Sequence, residues 1–118
     1  MATLDTKIVE KVVDITEQKV RFLFVQLYST FLIWIGDGIE PNMGNLALAL
    51  GKNATEIMSK DVNSCDSELA IRLSSRFNHN RPVYVSFNYQ PALNNTELKL
   101  EINKKLIDFI QECLELSS

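Results

Sequence analysis

The feature that most constrains the fold is a pair of apolar segments within residues 19–38, joined by a short polar stretch at 28–30. Side chains alternate between the two faces of a β-strand, so a strand with one solvated face alternates apolar and polar residues. Here both alternating sets are apolar: one is Val20, Phe22, Phe24, Phe31, Ile33 and Ile35, and the other is Leu23, Val25, Leu27, Leu32 and Trp34. The two segments therefore predict a β-hairpin that is covered on both faces.

Length and charge limit the class of protein. At 118 residues the chain is long enough for one domain with a real core, so we predict a single domain over residues 1–118. Hydrophobic residues make up 46% and charged residues 23%, which is typical of a globular protein. The net charge of −3 and the pI near 5.1 disfavour a nucleic-acid-binding protein, which normally presents a basic face.

The chain carries no signal for secretion or membrane insertion that we can identify. Residues 1–14 mix charged with apolar residues, unlike the apolar core of a signal peptide. The hairpin is interrupted by Arg21 and Gln26, unlike a membrane-spanning segment. We therefore expect a soluble, cytoplasmic protein with no membrane partner, whose Cys65 and Cys113 thiols are reduced.

Four further segments predict strands. Residues 8–15 carry several charges and suggest an edge strand, and the short link at 16–18 favours antiparallel pairing with the hairpin. Residues 46–50 alternate Leu with Ala and favour a strand, although a short helix also fits five such residues. Residues 55–60 suggest a short strand, and residues 83–89 alternate clearly.

Two segments have the apolar periodicity of helices. The first begins at residue 66 or 67, with Ser64 or Asp66 as its N-cap, and ends near residue 77. The second follows Asn94, which is predicted to cap it together with Glu97 three residues later. Its apolar face consists of Leu98, Ile102, Leu106, Phe109, Ile110 and Cys113.

This order of elements predicts an α+β fold: a single antiparallel sheet of about five to six strands with two helices on one face. Two helices of this size can cover only one face of the apolar hairpin. Contiguous exposed apolar surface is usually an interface, so we predict that the other face binds a partner. The alternative is that loops and helix ends complete the burial within the monomer.

No constellation of residues predicts catalysis, a cofactor or a metal ion. His79 lies in a helix-ending loop between two asparagines, Cys113 lies on an apolar helix face, and Cys65 has no identifiable partner. The run Gly36-Asp37-Gly38 lacks the spacing of a phosphate-binding loop and is interpreted as a turn. The carboxylates are scattered rather than clustered in the spacing of metal ligands.

Four motifs carry a family resemblance: Trp34-Ile35-Gly36, Asn45-Leu46-Ala47, Leu69-Ala70-Ile71-Arg72-Leu73 and Val83-Tyr84-Val85-Ser86-Phe87-Asn88. In this order and spacing, together with residues 100–110, they resemble the proteasome assembly chaperone 4 family. The resemblance extends from about residue 7 to residue 114.

The resemblance implies a non-enzymatic chaperone with an antiparallel α+β fold. Such a protein pairs sheet to sheet with a sister subunit, proteasome assembly chaperone 3. The heterodimer promotes assembly of the α-ring of the proteasome core particle by binding particular α-type subunits, and it leaves as the β-subunits arrive. The implied location is the cytoplasm, and also the nucleus.

Under this interpretation the sheet face that binds the sister subunit includes Leu32, Trp34, Tyr84 and Ser86. Trp34 and Tyr84 are the expected anchors, because aromatic side chains dominate interface energetics; a core position for Trp34 under the helices remains the alternative. The surface that faces the proteasome is expected on a loop with Asp37, Glu40 and Asn42.

Two other functional classes remain open. One is a small adaptor of longin or roadblock type in a trafficking or signalling complex, which would also be a small α+β domain without an active site. The other is a small thiol enzyme that uses Cys65 or Cys113 with His79. The identity of the bound partner separates the first class from a chaperone, and thiol reactivity tests the second.

Overall fold

A computed structural model of the chain describes residues 6–15, 17–37, 44–59, 66–92 and 95–115. It contains six strands and two α-helices, with a 3₁₀ turn at Gln90–Ala92 before the last helix. The elements in chain order are β1 (Thr6–Ile15), β2 (Gln18–Leu27), β3 (Thr30–Asp37), β4 (Asn45–Leu50), β5 (Asn53–Ser59), α1 (Asp66–Phe77), β6 (Pro82–Phe87) and α2 (Thr96–Glu115).

The six strands form one sheet in the order β1-β2-β3-β6-β4-β5. The first three strands pair antiparallel in sequence, as the short links between them predicted. The sheet is mostly antiparallel, but β6 runs parallel to β3. Parallel neighbours require a long crossover, and here β4, β5 and α1 supply it.

The predicted elements are all present, with small shifts at their ends. Residues 46–50 form a strand rather than a short helix. The predicted Asn94 cap of α2 is wrong by one residue, since Asn95 Oδ1 accepts the Leu98 backbone N–H at 3.1 Å. Because α2 begins at Thr96, Asn95 holds the N-cap position and Leu98 the third helical position; Asn94 and the other predicted cap, Ser64, lie outside the described residues.

Both helices pack on the same face of the sheet. α1 lies over β4, β5 and β6, and α2 lies over β1 and β2. The ring centroids of Phe22 on β2 and Phe109 on α2 are 5.7 Å apart. The core side chains of the sheet are one of the two alternating sets predicted for the hairpin, Val20, Phe22, Phe24, Phe31, Ile33 and Ile35, together with Ala49, Val83, Val85 and Phe87.

A buried carboxylate fixes the start of α1 against the sheet. Asp66, only 4% exposed, accepts the Phe87 backbone N–H through Oδ2 at 2.6 Å. One residue later, the Asn88 N–H donates to Ile35 O at 2.8 Å and extends the pairing of β6 with β3. The first turn of α1 and the end of β6 are therefore held together beside the sheet centre.

The other end of α1 is tied to three chain reversals. The Asn78 side chain donates to Ser29 O at 2.8 Å, in the β2–β3 turn, and to Pro82 O at 3.0 Å, where β6 begins. Ser74 Oγ accepts the Gly51 N–H at 2.9 Å, in the β4–β5 turn, and donates to Arg81 O at 2.7 Å. These bonds satisfy backbone groups that would otherwise be buried without partners.

Replacing Asp66 should lower the free energy of unfolding, because it removes a buried hydrogen bond. Asp66→Ala leaves the Phe87 N–H without its acceptor in a buried site, which we expect to cost about 1–3 kcal/mol in the free energy of unfolding. Urea unfolding followed by circular dichroism measures this loss. The control is Glu68→Ala, since Glu68 is exposed in the same turn of α1 and its loss should cost about 0.5 kcal/mol or less.

An Asp66→Asn variant tests whether the acceptor is what matters. Its side-chain oxygen can still accept the Phe87 N–H, so most of the stability lost in the alanine variant should be retained. Equal losses of stability in the Asp66→Asn, Asp66→Ala and Glu68→Ala variants would show that the hydrogen bond from the Phe87 N–H to Asp66 does not stabilise the protein.

Candidate interaction surface

Neither α1 nor α2 packs on the second face of the sheet, which we call the open face. The strand registers place on it the second alternating set of the hairpin, Leu23, Val25, Leu27, Leu32 and Trp34, with Ile8 and Val12 of β1, Tyr84 and Ser86 of β6, Leu46, Leu48 and Leu50 of β4, and Met58 of β5. All six strands therefore contribute apolar side chains to the open face, alongside polar ones.

The apolar residues of this face line up in register. A continuous row crosses five strands in the order Ile8, Val25, Leu32, Tyr84 and Leu48. Val25, Leu32, Tyr84 and Leu48 are partly buried, whereas Ile8 at one end of the row is 67% exposed. Leu50, next to Leu48 on the same face of β4, is 50% exposed. The described residues therefore leave this row partly uncovered.

The four residues predicted to form the interface lie side by side on the open face. Leu32 pairs in register with Tyr84, and Trp34 pairs with Ser86, across the parallel β3–β6 pair at the middle of the sheet. Their common face could be predicted from alternation within each strand. Their adjacency could not, because it depends on β6 inserting beside β3.

Trp34 lies on the open face rather than under the helices. Its register partners are Leu23 on β2 and Ser86 on β6. Trp34 is nevertheless only 7% exposed, and its indole ring lies over Gly36 on the same strand. Trp34 is thus packed against the chain itself and does not project from the surface.

Ser86 is fully buried, and its hydroxyl is used within the chain. It donates to Asn45 O at 2.5 Å and accepts from Asn88 Nδ2 at 2.8 Å. Asn88 Oδ1 in turn accepts the Asn45 N–H at 3.2 Å. These bonds join β6 to the start of β4, so Ser86 shapes the open face without offering a free hydroxyl to a partner.

The predicted loop surface is described only at its first residue. Asp37 is exposed at the end of β3, while Glu40 and Asn42 lie outside the described residues. Nearby, burial raises the pKa of Tyr89, and the Asp37 carboxylate adds to this rise. The Tyr89 hydroxyl donates to Gln18 Oε1 at 2.5 Å, so the phenol is neutral at physiological pH and serves to join chain segments.

One corner of the open face is charged. Arg21 Nη2 is 3.3 Å from Glu10 Oε1, and Lys19 Nζ is 3.4 Å from Asp14 Oδ1. These pairs lie where β1 and β2 meet, beside the apolar row. An apolar centre with a polar margin is the usual composition of a protein–protein interface.

Several residues of the open face were not included in the predicted interface. Leu46, Leu48 and Leu50 were identified as the large-residue face of a strand, and that alternation was sufficient to place them here once β4 was known to pair with β6. Met58 had no such signal, because β5 is irregular: the β4–β5 register shifts between Leu46 and Ala47.

The described residues contain no obvious catalytic or metal centre. Within them, no three His, Cys, Asp or Glu side chains come together as metal ligands, and neither helix is long and apolar enough to cross a membrane. Cys113 is 1% exposed, and burial raises its thiol pKa to about 11. His79 is exposed after α1. Cys65 lies outside the described residues.

Comparison with known proteins identifies a fold. Neither a protein-family model nor a curated protein matches the sequence. Among solved structures, the chain is similar to a chain in the crystal structure of a novel chaperone complex for yeast 20S proteasome assembly, with a TM-score of 0.68 and 18% identity. The match covers 92% of this chain and 98% of that chain. At this identity the similarity establishes a shared fold over nearly the whole of both chains.

The buried Cys113 thiol should be unreactive in the native protein. With a pKa of about 11, only about a thousandth of the thiol is ionised at pH 8, compared with a substantial fraction of an ordinary cysteine. In a Cys65→Ser variant, iodoacetamide labelling at pH 8 should be at least about 100-fold slower in the native state than in urea. Equal rates in the two states would restore the thiol-enzyme hypothesis.

Proposed function

We propose that this chain is a non-enzymatic subunit of a proteasome assembly chaperone. In this proposal it pairs through its open face with a sister chaperone that resembles proteasome assembly chaperone 3. The heterodimer binds α-type subunits of the proteasome core particle, promotes assembly of the α-ring and is released on maturation. It acts in the cytoplasm and the nucleus, without nucleic acid or membrane.

The observation that carries the proposal is the apolar open face on this particular fold. A contiguous apolar row that the described residues leave partly uncovered is typical of a protein–protein interface. The fold is shared with a chain from a chaperone complex for yeast 20S proteasome assembly. The fold likeness and the partly uncovered apolar face both favour a subunit of an assembly complex.

The size of the open face supports a stable pairing. Six strands spaced about 4.8 Å apart, with about six to ten residues each at about 3.3 Å per residue, give a face on the order of 600 Å². A standard protein–protein interface buries about 800 Å² on each partner. The open face, its charged corner included, is thus comparable in size to one side of a standard interface.

The proposed mechanism uses binding energy alone. Leu32 and Tyr84 meet the sister chaperone at the middle of the sheet, where desolvation is most complete and single residues contribute most. The proteasome-facing surface includes the end of β3 near Asp37 and the chain that follows it. Release follows when incoming β-subunits compete for the surface of the α-ring.

The experiment that tests the proposal is affinity purification of the tagged, full-length chain from its own cells, followed by mass spectrometry. We expect recovery of a second small chaperone with free α-type proteasome subunits and little mature proteasome. Recovery of membrane-traffic components instead would support the longin- or roadblock-type adaptor. A monomer without partners would refute the proposal.

Substitutions on the open face should weaken binding of the second chaperone without unfolding the chain. Leu32→Ala and Tyr84→Ala remove partly buried side chains at its middle, and we expect each to reduce the recovered partner by about 10-fold or more. The matched control is Leu100→Ala, since Leu100 is 58% exposed on α2, away from the open face. Equal recovery with Leu32→Ala, Tyr84→Ala and the control would place the interface elsewhere.

A further inference from the structure

Gly36 occupies an unusual position on the open face. It follows Trp34 by two residues on β3, so both belong to the same face of the strand. A Cβ atom placed on Gly36 would lie 2.4 Å from Cη2 and 2.5 Å from Cζ2 of the indole. The six-membered ring of Trp34 therefore occupies the space that any other residue at position 36 would need.

The backbone gives no other reason for a glycine here. Among the glycines in the described part of the chain, positive φ occurs at Gly51 and not at Gly36. Glycine weakens the interior of a strand because it has no side chain to pack and loses more conformational freedom on folding. Close approach of another group explains such a residue, and the approaching group is the Trp34 ring.

The orientation of the Trp34 indole determines how far side chains protrude from the sheet at the middle of the open face. Two sheets that pack face to face lie about 10 Å apart, so each contributes side chains to about 5 Å of that depth. An indole that lies along the strand fits within this depth. An indole displaced by a methyl group at position 36 would rise above its register neighbours Leu23 and Ser86.

We propose that Gly36 is a positioning residue for partner binding: it holds the Trp34 indole against the sheet and so keeps the open face level enough to receive the sheet of the sister chaperone. This inference rests on the proposed function. Because only 7% of Trp34 is exposed, it affects binding through the shape that it gives the open face and not through direct contact with the partner. The partner contacts fall on the residues around the indole, Leu23, Leu32 and Tyr84.

Fluorescence reports directly on this arrangement, because Trp34 is the only tryptophan in the chain. In Gly36→Ala we expect the emission maximum to shift to longer wavelength and acrylamide quenching to increase at least twofold. Far-UV circular dichroism should stay unchanged. In co-expression with the second chaperone from the affinity purification, recovery of that partner should fall about 10-fold.

A double-mutant cycle separates positioning of the indole from a general cost of alanine in the strand. Trp34→Leu removes the ring that a methyl group at position 36 would meet. We expect Gly36→Ala to lower partner recovery and thermal stability in the natural background, and to lower both much less in the Trp34→Leu background. Coupling of this kind is expected between residues in contact and is small between residues that are distant and independent.

Each result decides between the alternatives. Equal losses from Gly36→Ala in both backgrounds, unfolding in both, or an unchanged emission spectrum would refute the role of Gly36. Normal partner recovery despite a displaced indole would show that the height of the face is irrelevant to docking. Failure of the natural chain to recover a second chaperone would refute the proposed function, and the emission spectra would still decide whether Gly36 holds the indole.

Discussion

The structure depends on two helices packing against only one face of an apolar sheet. The Phe22–Phe109 contact and the neighbouring buried side chains give that face a complete core. Helices of 12 and 20 residues have no remaining apolar stripe with which to cover the other face. Side chains alternate along strands, so the neighbours of the core residues point to the other face, and in the central hairpin several of them, such as Leu23 and Leu32, are themselves apolar. The open face therefore follows from the apolar residues at these alternate positions of the hairpin.

Much of this architecture could be predicted because it is encoded in local periodicity. The two alternating sets of the central hairpin separate onto the two faces as expected. The six apolar positions predicted for α2, from Leu98 to Cys113, are all buried. Such patterns depend only on the geometry of one element and the need to remove apolar side chains from water.

The rest depends on contacts between residues far apart in sequence, which periodicity does not encode. The parallel pairing of β6 with β3 is one example, and it alone makes Leu32 a neighbour of Tyr84 and Trp34 a neighbour of Ser86. The polar residues are another: Asn78 and Ser74 bond to turns 20 or more residues away. A local sequence pattern identifies such residues as polar loop or helix-end positions and gives no indication of their partners. The fold was therefore easier to predict than which residues become neighbours on the open face.

The central position of β6 has a consequence for how the chain is made. Its hydrogen bonds join the β1–β3 meander to the β4–β5 hairpin, which the described sheet connects through β6. During synthesis, the edge of β3 that pairs with β6 therefore has unpaired backbone groups until residue 87 has left the ribosome. An apolar edge exposed for that time invites pairing with other chains. A chain with this strand order is thus most prone to aggregation before its sixth strand inserts into the sheet.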